Sequence, residues 1–472
     1  MSDRTNRSGG SAPAVATVLL VSITLMACGD STPDRLTARG PAAGATGTAS
    51  PMEPVTAPPG GQARIVEERQ ISERLLELTI ATTAFVEPTK VHVNLPAGYG
   101  TSRRWPVTFY LAGTNHTYAD FNQQYGGGEL TDKFASLVVS PTGRSGYWSD
   151  WYNRGAFGPP LYETYVIDQL IPLIDQRFST IGKREGRAVL GESMGGYGAM
   201  MLAARHPDLF AAAASVSGTV NTNLTLNATV LSASPALDGA EPDAIYGPRA
   251  TEEVRWRGHN PHDLAENLRS LTLWMGSANG TMIDTGIGET PTDASGCALE
   301  FGVHDASVSL HERLDALGIA HVWKDFGAGC HSVPNFQRQI REALQVFTAV
   351  FDRRPALPSS VDHLAIEPEI QIWNWSITAD PQRAIEFLRM DDAGASGLKL
   401  SGSGLTTVIT PPFYAGMREV RIEGAQAATA IPDADGRIRF TVDLGAANTQ
   451  QQYSLPAATP VTTVHVRLQP GR

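Results

Sequence analysis

Cysteine, basic residues and long apolar runs are all scarce in this sequence. Only three of its 472 residues are cysteine, which excludes a small scaffold held together by many disulfides. Lysine and arginine (37) are outnumbered by aspartate and glutamate (48), and the net charge is -11. This balance, with no basic cluster, argues against nucleic acid as a partner. The sequence also lacks an internal repeat and a metal-ligand motif such as His-Glu-x-x-His, so we predict neither a metal nor a cofactor.

The N-terminal segment has the features of an export signal. Two arginines near the start are followed by the apolar run Ala12–Leu25, which is too short to span a bilayer. Leu25-Met26-Ala27-Cys28 is similar to a bacterial lipobox. We therefore predict a lipoprotein signal peptide over 1–27 and a lipidated Cys28 that anchors the exported protein to a membrane. A plain signal peptide that is cut nearby is the alternative.

Composition and hydrophobic patterning divide the rest of the chain into three parts. Residues 28–63 are rich in Pro, Gly, Ala, Ser and Thr and bury too little surface to fold, which predicts a disordered linker. Across 64–355, strand patterns alternate with helical ones, which predicts an α/β domain with a mostly parallel sheet covered on both faces. From 361 to 472, short alternating runs between turns predict a small all-β, sandwich-like domain. Its one helical pattern is Pro381–Phe387.

The segment that most directly indicates chemistry is Gly191-Glu192-Ser193-Met194-Gly195. It lies between a buried strand pattern, Arg187–Leu190, and a helical pattern, Gly198–Arg205. A turn from strand to helix over one residue strains that residue, and the flanking glycines remove side chains that would collide. Ser193 would then stand at the tip, near a helix N-terminus that favours negative charge. We predict that Ser193 is a nucleophile; an ordinary Gly-Ser turn is the alternative.

A nucleophilic serine needs a base, and the base needs an acid that orients it. In α/β-hydrolases the chain order is Ser, acid, His. His331 follows a predicted strand, Ala320–Phe326, and precedes a predicted helix, Pro334–Phe351, so we predict that it is the base. The candidate acids lie between a strand ending at Met275 and the predicted helix Val303–Leu317: Asp284, Glu289, Asp293, Glu300 and Asp305.

The other candidate site residues follow from the same topology. An oxyanion hole needs two backbone N–H groups; Met194 supplies one, and Gly113 or Thr114, after the strand Val107–Leu111, supplies the other. Three further histidines are candidates for lining the site: His116, His259 and His262. Another three lie on the helix and strand before His331, where surface or core roles are expected: His304, His311 and His321.

Several motifs resemble those of the esterase D-type α/β-hydrolases, and especially the secreted mycolyltransferases of the antigen 85 group. The matching segments are Gly-Glu-Ser-Met-Gly-Gly around Ser193, Tyr147-Trp148-Ser149-Asp150-Trp151-Tyr152, Tyr162-Glu163-Thr164, Tyr246-Gly247-Pro248 with Asn260-Pro261, Asn279-Gly280-Thr281, Ala298-Leu299-Glu300 and His331-Ser332. The similarity covers roughly Val107 to Phe351. It implies the α/β-hydrolase fold and ester chemistry through an acyl-enzyme.

The resemblance also indicates which of the candidate acids and oxyanion donors to favour. In that group the acid is a glutamate just over thirty residues before the histidine, which points to Glu300, 31 residues before His331; Asp284 is second. The second oxyanion donor corresponds to Thr114. The implied function is an exported serine esterase. The alternatives are an acyltransferase that uses a sugar or lipid acceptor, and a surface binding module on a hydrolase scaffold.

Two features depart from the antigen 85 group. Ala112-Gly113-Thr114-Asn115 stands where those enzymes have Asp-Gly-Leu-Arg, whose charged residues help to hold trehalose. We therefore expect hydrolysis rather than mycolyl transfer to trehalose. The C-terminal β-domain is also absent from those enzymes. Its aromatic residues are either glycan-binding or core: Trp373, Trp375, Phe413 and Tyr414.

Two cysteines and a long insert give the remaining predictions, which concern a disulfide and the substrate pocket. Cys297 precedes Glu300 by three residues, and Cys330 immediately precedes His331. If acid and base meet, the two cysteines also meet, and in an exported protein this predicts a disulfide. The insert Thr219–Ser270 is expected to shape the substrate pocket. Three of its residues either contact substrate or pack within the insert: Arg255, Trp256 and Arg257.

Overall fold

The computed structural model of the chain describes residues 63–156, 158–283, 286–289, 294–453 and 460–470. The predicted signal peptide, Cys28 and all but the last residue of the predicted linker lie outside these residues. So do Asp284 and Asp293, two of the candidate acids. Among the described helices, none combines the length and the apolar character needed to cross a membrane.

A nine-stranded sheet forms the centre of the larger domain. Its strands are β1 (Arg64–Ser72), β2 (Leu75–Ala81), β3 (Thr89–Asn94), β4 (Val107–Leu111), β5 (Leu137–Pro141), β6 (Arg187–Glu192), β7 (Ala212–Val216), β8 (Thr272–Ser277) and β9 (Val322–Asp325). The spatial order is β1-β2-β3-β5-β4-β6-β7-β8-β9. Pairing is antiparallel from β1 to β5 and parallel from β5 to β9. The predicted, mostly parallel sheet is confirmed.

Helices cover both faces of this sheet, as its buried strands require. They are α1 (Asp120–Gln123), α2 (Gly127–Leu130), α3 (segments Tyr162–Thr164, Tyr165–Leu170 and Ile171–Arg177), α4 (Met194–Arg205), α5 (Thr225–Ala233), α6 (Arg249–Gly258), α7 (Ala294–Ala316) and α8 (Val333–Arg353). The apolar core on one face includes side chains of α3, α4 and α7, whereas the core on the other face includes those of α1 and α8. This is the layering of an α/β-hydrolase.

Helix α7 begins nine residues earlier than the predicted Val303–Leu317. Glu300, expected in a loop, therefore lies within the helix. Glycines make the start of this segment look irregular in the sequence, but they permit close packing in the structure. A Cβ on Gly302 would lie 2.6 Å from the Leu226 side chain, so helix α5 can approach α7 at this point.

The C-terminal region consists of two antiparallel sheets around a separate apolar core. The strands are β10 (Val361–Ala365), β11 (Glu369–Ile372), β12 (Trp375–Thr378), β13 (Leu388–Gly394), β14 (Gly397–Gly402), β15 (Leu405–Ile409), β16 (Val420–Glu423), β17 (Thr429–Ala430), β18 (Arg439–Asp443) and β19 (Thr462–Pro470). Six form one sheet, β10-β13-β14-β19-β16-β17, and four form the other, β11-β12-β15-β18. The prediction of an all-β region is confirmed.

The prediction of a helix over Pro381–Phe387 is wrong. This segment forms turns whose backbone is held by distant residues. The N–H of Ala384 donates to the carbonyl of Asn448 at 2.7 Å, and that of Phe387 donates to the side chain of Gln452 at 3.0 Å. Tertiary hydrogen bonds thus override a weak local helical preference.

The aromatic residues of the β-domain serve mainly in packing. Trp375 and Tyr414 are 1% and 2% exposed in its core, which favours the core interpretation over glycan binding. Trp373 lies at the contact with the catalytic domain. The Arg184 guanidinium is 5.2 Å from the centroid of the Trp373 ring, and the backbone N–H of Trp373 donates to the Asp208 carboxylate. Phe413 is 38% exposed.

Candidate active site

Backbone geometry makes Ser193 the tip of a sharp turn. All six residues of β6 are buried, and α4 begins immediately after Ser193. Ser193 has φ 56° and ψ -121°, which is strained for a residue with a side chain. A Cβ on Gly195 would lie 1.8 Å from the carbonyl oxygen of Leu111, and one on Gly191 would lie 2.3 Å from it. The two glycines are therefore required by the close approach of β4.

The structure brings Ser193, His331 and Glu300 into one chain of hydrogen bonds. Nε2 of His331 lies 2.9 Å from Oγ of Ser193. Nδ1 of His331 lies 2.7 Å from Oε2 of Glu300. The His331 N–H donates to the carbonyl of Gly296 in α7, which fixes the loop that carries the imidazole. The three side chains thus have the separations that proton transfer between a serine, an imidazole and an orienting carboxyl group requires.

Glu300 is fully buried, and donors surround its carboxylate. Its Oε1 accepts hydrogen bonds from Ser217 Oγ and the Ala278 N–H, both at 2.7 Å, and from Asn335 Nδ2 at 3.0 Å. Donors from three separate elements, together with His331, compensate the cost of burying a charge. These donors fix the carboxyl group of Glu300 so that its other oxygen, Oε2, faces Nδ1 of His331.

The other described acid candidates lie apart from the histidine ring. Glu289 accepts hydrogen bonds from the Cys330 N–H and the Ser332 hydroxyl, so it holds the loop on both sides of His331. Asp305 is exposed on α7. Neither residue is hydrogen-bonded to the imidazole of His331, whose Nδ1 and Nε2 face Glu300 and Ser193.

Cys297 and Cys330 are joined by a disulfide. This bond connects the first turns of α7, which carries Glu300, to the loop that carries His331. It is therefore placed to hold the acid and the base in register.

The loop after β4 lies against the nucleophile. Gly113 and Thr114 line the same cavity as Ser193 and His331. The Gly113 N–H donates to Oε1 of Glu192, so it is already engaged. Within the described part of the chain, the Thr114 N–H has no backbone hydrogen-bond partner, so the geometry favours Thr114 over Gly113 as the second oxyanion donor. Met194 begins α4, where a backbone N–H has no partner within the helix.

A second carboxylate–imidazole pair, not identified from the sequence, lies beside this loop. Glu192 is fully buried, and its Oε1 accepts from Gly113 and from the Tyr125 hydroxyl and lies 3.3 Å from His116 Nδ1. Burial lowers the pKa of His116, but the hydrogen bond and charge of Glu192 outweigh it and raise that pKa. The available signal was an acidic residue at the end of an otherwise apolar strand pattern.

The site opens into a cavity of about 540 Å³. Its lining includes the polar residues Thr114, His116 and His331. The insert and α7 contribute apolar residues to the lining: Leu226, Val230, Leu237, Leu299 and Val303. The insert thus shapes the cavity, as its position in the sequence suggested.

Other candidate lining residues lie elsewhere. His259 is buried near Glu163, and burial, with the Arg205 charge, lowers its pKa to about 4. His262 does not line the cavity. Within the insert, Trp256 is buried and Arg257 pairs with Glu253 and Asp263. Neither Trp256, Arg257 nor Arg255 lines the cavity, so the geometry favours packing within the insert.

Comparison with known proteins agrees with this architecture. The Putative esterase family matches residues 82–347, more than half of the chain. The esterase Rv1288 of Mycobacterium tuberculosis is 30% identical over 263 residues, which cover 55% of this chain and 56% of that protein. The diacylglycerol acyltransferase/mycolyltransferase Ag85B of Mycobacterium avium is 28% identical over 205 residues, covering 42% and 60%. The chain thus spans little more than half the length of these relatives.

Among solved structures, one match covers a similar share of the chain. The crystal structure of Mycobacterium tuberculosis MPT51 has 18% sequence identity and a TM-score of 0.49, and the match covers 58% of this chain and 97% of that one. The predicted resemblance to antigen 85-like esterases is confirmed by the family match and the curated relatives. The chain belongs to the esterase family of α/β-hydrolases.

Proposed function

We propose that this protein is a serine esterase that hydrolyses carboxylic esters through Ser193, His331 and Glu300. The observation that carries the proposal is the continuous chain of contacts, 2.9 Å from Ser193 Oγ to His331 and 2.7 Å from His331 to Glu300. Membership of the esterase family supports the same chemistry.

The proposed reaction follows from the positions of these groups. His331 Nε2 takes the proton from Ser193 Oγ as the oxygen attacks the ester carbonyl carbon. The N–H groups of Met194 and Thr114 hold the resulting oxyanion. Glu300 stabilises the imidazolium, which then gives its proton to the departing alcohol as the C–O bond breaks. Water repeats the sequence on the acyl-enzyme, releasing the acid and restoring Ser193.

The cavity supports a substrate with an apolar acyl chain. The apolar residues that α5 and α7 contribute to its lining offer burial for a hydrocarbon, while Ser193 and Thr114, which would meet the ester carbonyl, line the same cavity. Burial of each methylene of the chain favours binding by about 0.8 kcal/mol. We therefore propose that acyl esters with several methylenes are hydrolysed more efficiently than acetate.

A ladder of p-nitrophenyl esters from acetate to palmitate tests the function. Wild type is compared with Ser193→Ala and with Ser102→Ala, a change at an exposed serine. Ser193→Ala is expected to lower kcat by at least about 10³-fold, whereas the control keeps wild-type rates. A fluorophosphonate should label the wild type at Ser193. Absence of both turnover and labelling would instead favour a binding module.

Acyl transfer to a sugar or lipid acceptor is the second candidate, favoured by the similarity to a named acyltransferase/mycolyltransferase. The same acyl-enzyme would serve both reactions, with an acceptor hydroxyl in place of water. Product analysis with excess sugar distinguishes them. An acceptor-dependent ester product would support transfer, and free acid alone would support hydrolysis.

We also propose that the protein is exported and lipid-anchored through Cys28. The lipobox-like sequence and the disulfide between Cys297 and Cys330, a bond typical of oxidising compartments, support this. Mass spectrometry of the N-terminal peptide from cells would detect a diacylglyceryl-modified Cys28. An unmodified N-terminus at another residue would support a plain signal peptide instead.

A further inference from the structure

Three residues at the far end of α7 form a compact group outside the cavity. His311 and Asp315 are four residues apart on the helix, and His321 follows in the turn before β9. One ligand atom from each lies within 4.8 Å of the others. His311 is eleven residues beyond Glu300, about 16 Å along the helix axis, so the group is separate from the proposed catalytic residues.

A backbone hydrogen bond fixes which nitrogen of His321 faces His311. Nδ1 of His321 lies 2.8 Å from the Ile319 carbonyl, which can only accept, so Nδ1 carries the hydrogen and Nε2 presents a lone pair. That Nε2 lies 2.7 Å from Nδ1 of His311. An imidazole whose second N–H is held by a backbone carbonyl is the usual arrangement of a metal-ligating histidine.

Asp315 places an acidic side chain beside both imidazole rings. Nε2 of His311 lies 3.6 Å from Oδ2 of Asp315, and Nε2 of His321 lies 4.0 Å from Oδ1 of the same side chain. The His311 ring is stacked on Trp323 at 5.6 Å between centroids, which limits its rotation. The acidic side chain of Asp315 thus faces a nitrogen of each ring, and the three ligand atoms lie close enough together for one cation to bind them all.

We propose that His311, Asp315 and His321 bind a first-row transition-metal dication such as Zn²⁺ and so cross-link the end of α7 to the start of β9. Two imidazoles and a carboxylate are a donor set typical of Zn²⁺, whereas Mg²⁺ and Ca²⁺ prefer oxygen ligands. Zn–N bonds of about 2.0–2.1 Å place tetrahedral ligands roughly 3.3 Å apart. Asp315 is exposed, so it can close on the ion and leave water to complete the coordination.

The metal would stabilise the fold rather than take part in ester hydrolysis. It would tie the helix that carries Glu300 to the edge strand of the sheet. The sequence does not reveal this group as a motif, because His321 approaches His311 only through the turn between the two elements. Ordinary helical spacing accounts only for His311 and Asp315.

Titration of the EDTA-treated full chain with ZnCl₂ tests the proposal without an activity readout. Calorimetry is expected to detect one saturable site, and Co²⁺ should produce a visible absorption band at the same stoichiometry. Saturating Zn²⁺ should raise Tm by about 3 °C. His311→Gln and His321→Gln should each weaken binding at least tenfold. Asp315→Asn, an exposed change with little risk to folding, should weaken it several-fold.

His304→Gln is the matched control. His304 lies on the same helix and near Trp323, and it faces Asp325 at 3.6 Å, but it belongs to no three-residue group among the described residues. Its substitution should leave Zn²⁺ affinity unchanged. Absence of a saturable site in the wild type would overturn the proposal. So would undiminished Zn²⁺ binding in Asp315→Asn and in the His311→Gln/His321→Gln double variant, which would place the ion elsewhere.

Discussion

Glu192 is next to Ser193 in the chain, and its side chain contacts the loop that follows β4. Its Oε1 accepts from Gly113 and Tyr125 and lies by His116. Its Oε2 is buried and has no hydrogen-bond partner in the described part of the chain. The hydrogen bond from Gly113 ties this side chain to the loop that carries Thr114, so we infer that Glu192 acts by positioning that loop.

We predict that Glu192→Leu lowers kcat by about tenfold or more with little change in KM, because a displaced oxyanion donor weakens transition-state binding rather than substrate binding. Glu192→Gln keeps an acceptor for Gly113 and should retain most of the activity. Steady-state kinetics on one p-nitrophenyl ester would measure both. Equal losses in the two variants would point to the charge instead of loop position.

Gly195 is required by contact rather than by backbone conformation. Because a Cβ at this position would lie 1.8 Å from the Leu111 carbonyl oxygen, Gly195→Ala must displace β4 or α4. We expect a destabilisation of at least about 3 kcal/mol, measured as a lower urea midpoint. Gly128→Ala is the control, because its Cβ would meet nothing within 4 Å. A wild-type midpoint in Gly195→Ala would contradict the close approach.

Helix α7 is the element on which the proposed acid depends. It carries both Cys297 and Glu300, and the disulfide ties it to the loop of His331. We predict that a Cys297→Ala/Cys330→Ala double variant loses about 3–4 kcal/mol of stability in the chain-entropy model. Urea unfolding would measure the loss. Cys28→Ser should not change it.

The same variant should also lose activity, because the acid and the base would no longer be joined near the site. Thiol titration of the denatured, unreduced wild type provides an independent check. Detection of two reactive thiols beyond Cys28 would show that the bond does not form in the purified protein.

Helix α5 should determine which acyl-chain length the proposed esterase prefers, because its apolar side chains line the cavity. Val230 lines the cavity, so Val230→Phe would shorten the space available to a chain. We predict that the most efficient p-nitrophenyl ester shifts by two or more carbons toward shorter chains. Thr225→Phe, at an exposed position of the same helix, should leave the preference unchanged. An unaltered preference in Val230→Phe would place the acyl chain elsewhere.

A buried network of ion pairs joins the catalytic domain to the β-domain. Arg205, at the end of α4, contacts Glu163 at 2.7 Å and Glu367 of the β-domain at 2.6 Å. Asn267 and the backbone of Leu364 exchange two hydrogen bonds across the same contact. The β-domain therefore packs against the catalytic domain through specific polar pairs as well as through apolar surface.

Stability at acidic pH should report on this interface. Burial is the main cause that lowers the pKa of His363 to about 3. Below its ordinary value of about 6.5, the unfolded chain takes up a proton that the folded chain excludes. The free energy of unfolding should therefore fall by about 1.4 kcal/mol per pH unit for this group as pH decreases from 6.5, and this group adds no dependence above 6.5.

Urea unfolding of wild type and His363→Gln between pH 5 and 7.5 measures this contribution. The variant should show a shallower loss of stability on acidification. Glu163 and Glu367, whose pKa values are lowered, stay ionised in this window. His259 and His206 lie nearby but are present in both proteins, so they cancel in the difference. Parallel pH profiles would contradict a buried, uncharged His363.

Some of this protein is determined by local sequence alone. The alternation of apolar strands and helices is sufficient to predict the sheet and its covering layers, because hydrophobic period reports which faces are buried. The turn at Ser193 and the place of His331 after the last strand of the sheet were likewise evident. Short-range patterns encode such features directly. The false helix at Pro381–Phe387 and the late predicted start of α7 occurred where distant contacts outweigh local preference.

Which side chains contact one another across the fold could be determined only from the tertiary structure. Chain order and the position after a predicted strand left five candidate acids, and the resemblance favoured Glu300. The hydrogen bonds that surround Glu300 come from Ser217, Ala278 and Asn335. Likewise, Glu192 reaches Gly113 across 79 residues, and Arg205 reaches Glu367 across 162. Such contacts depend on how separate elements pack, because a buried charge is stable only where the fold gathers donors around it. No local pattern in the sequence specifies that arrangement.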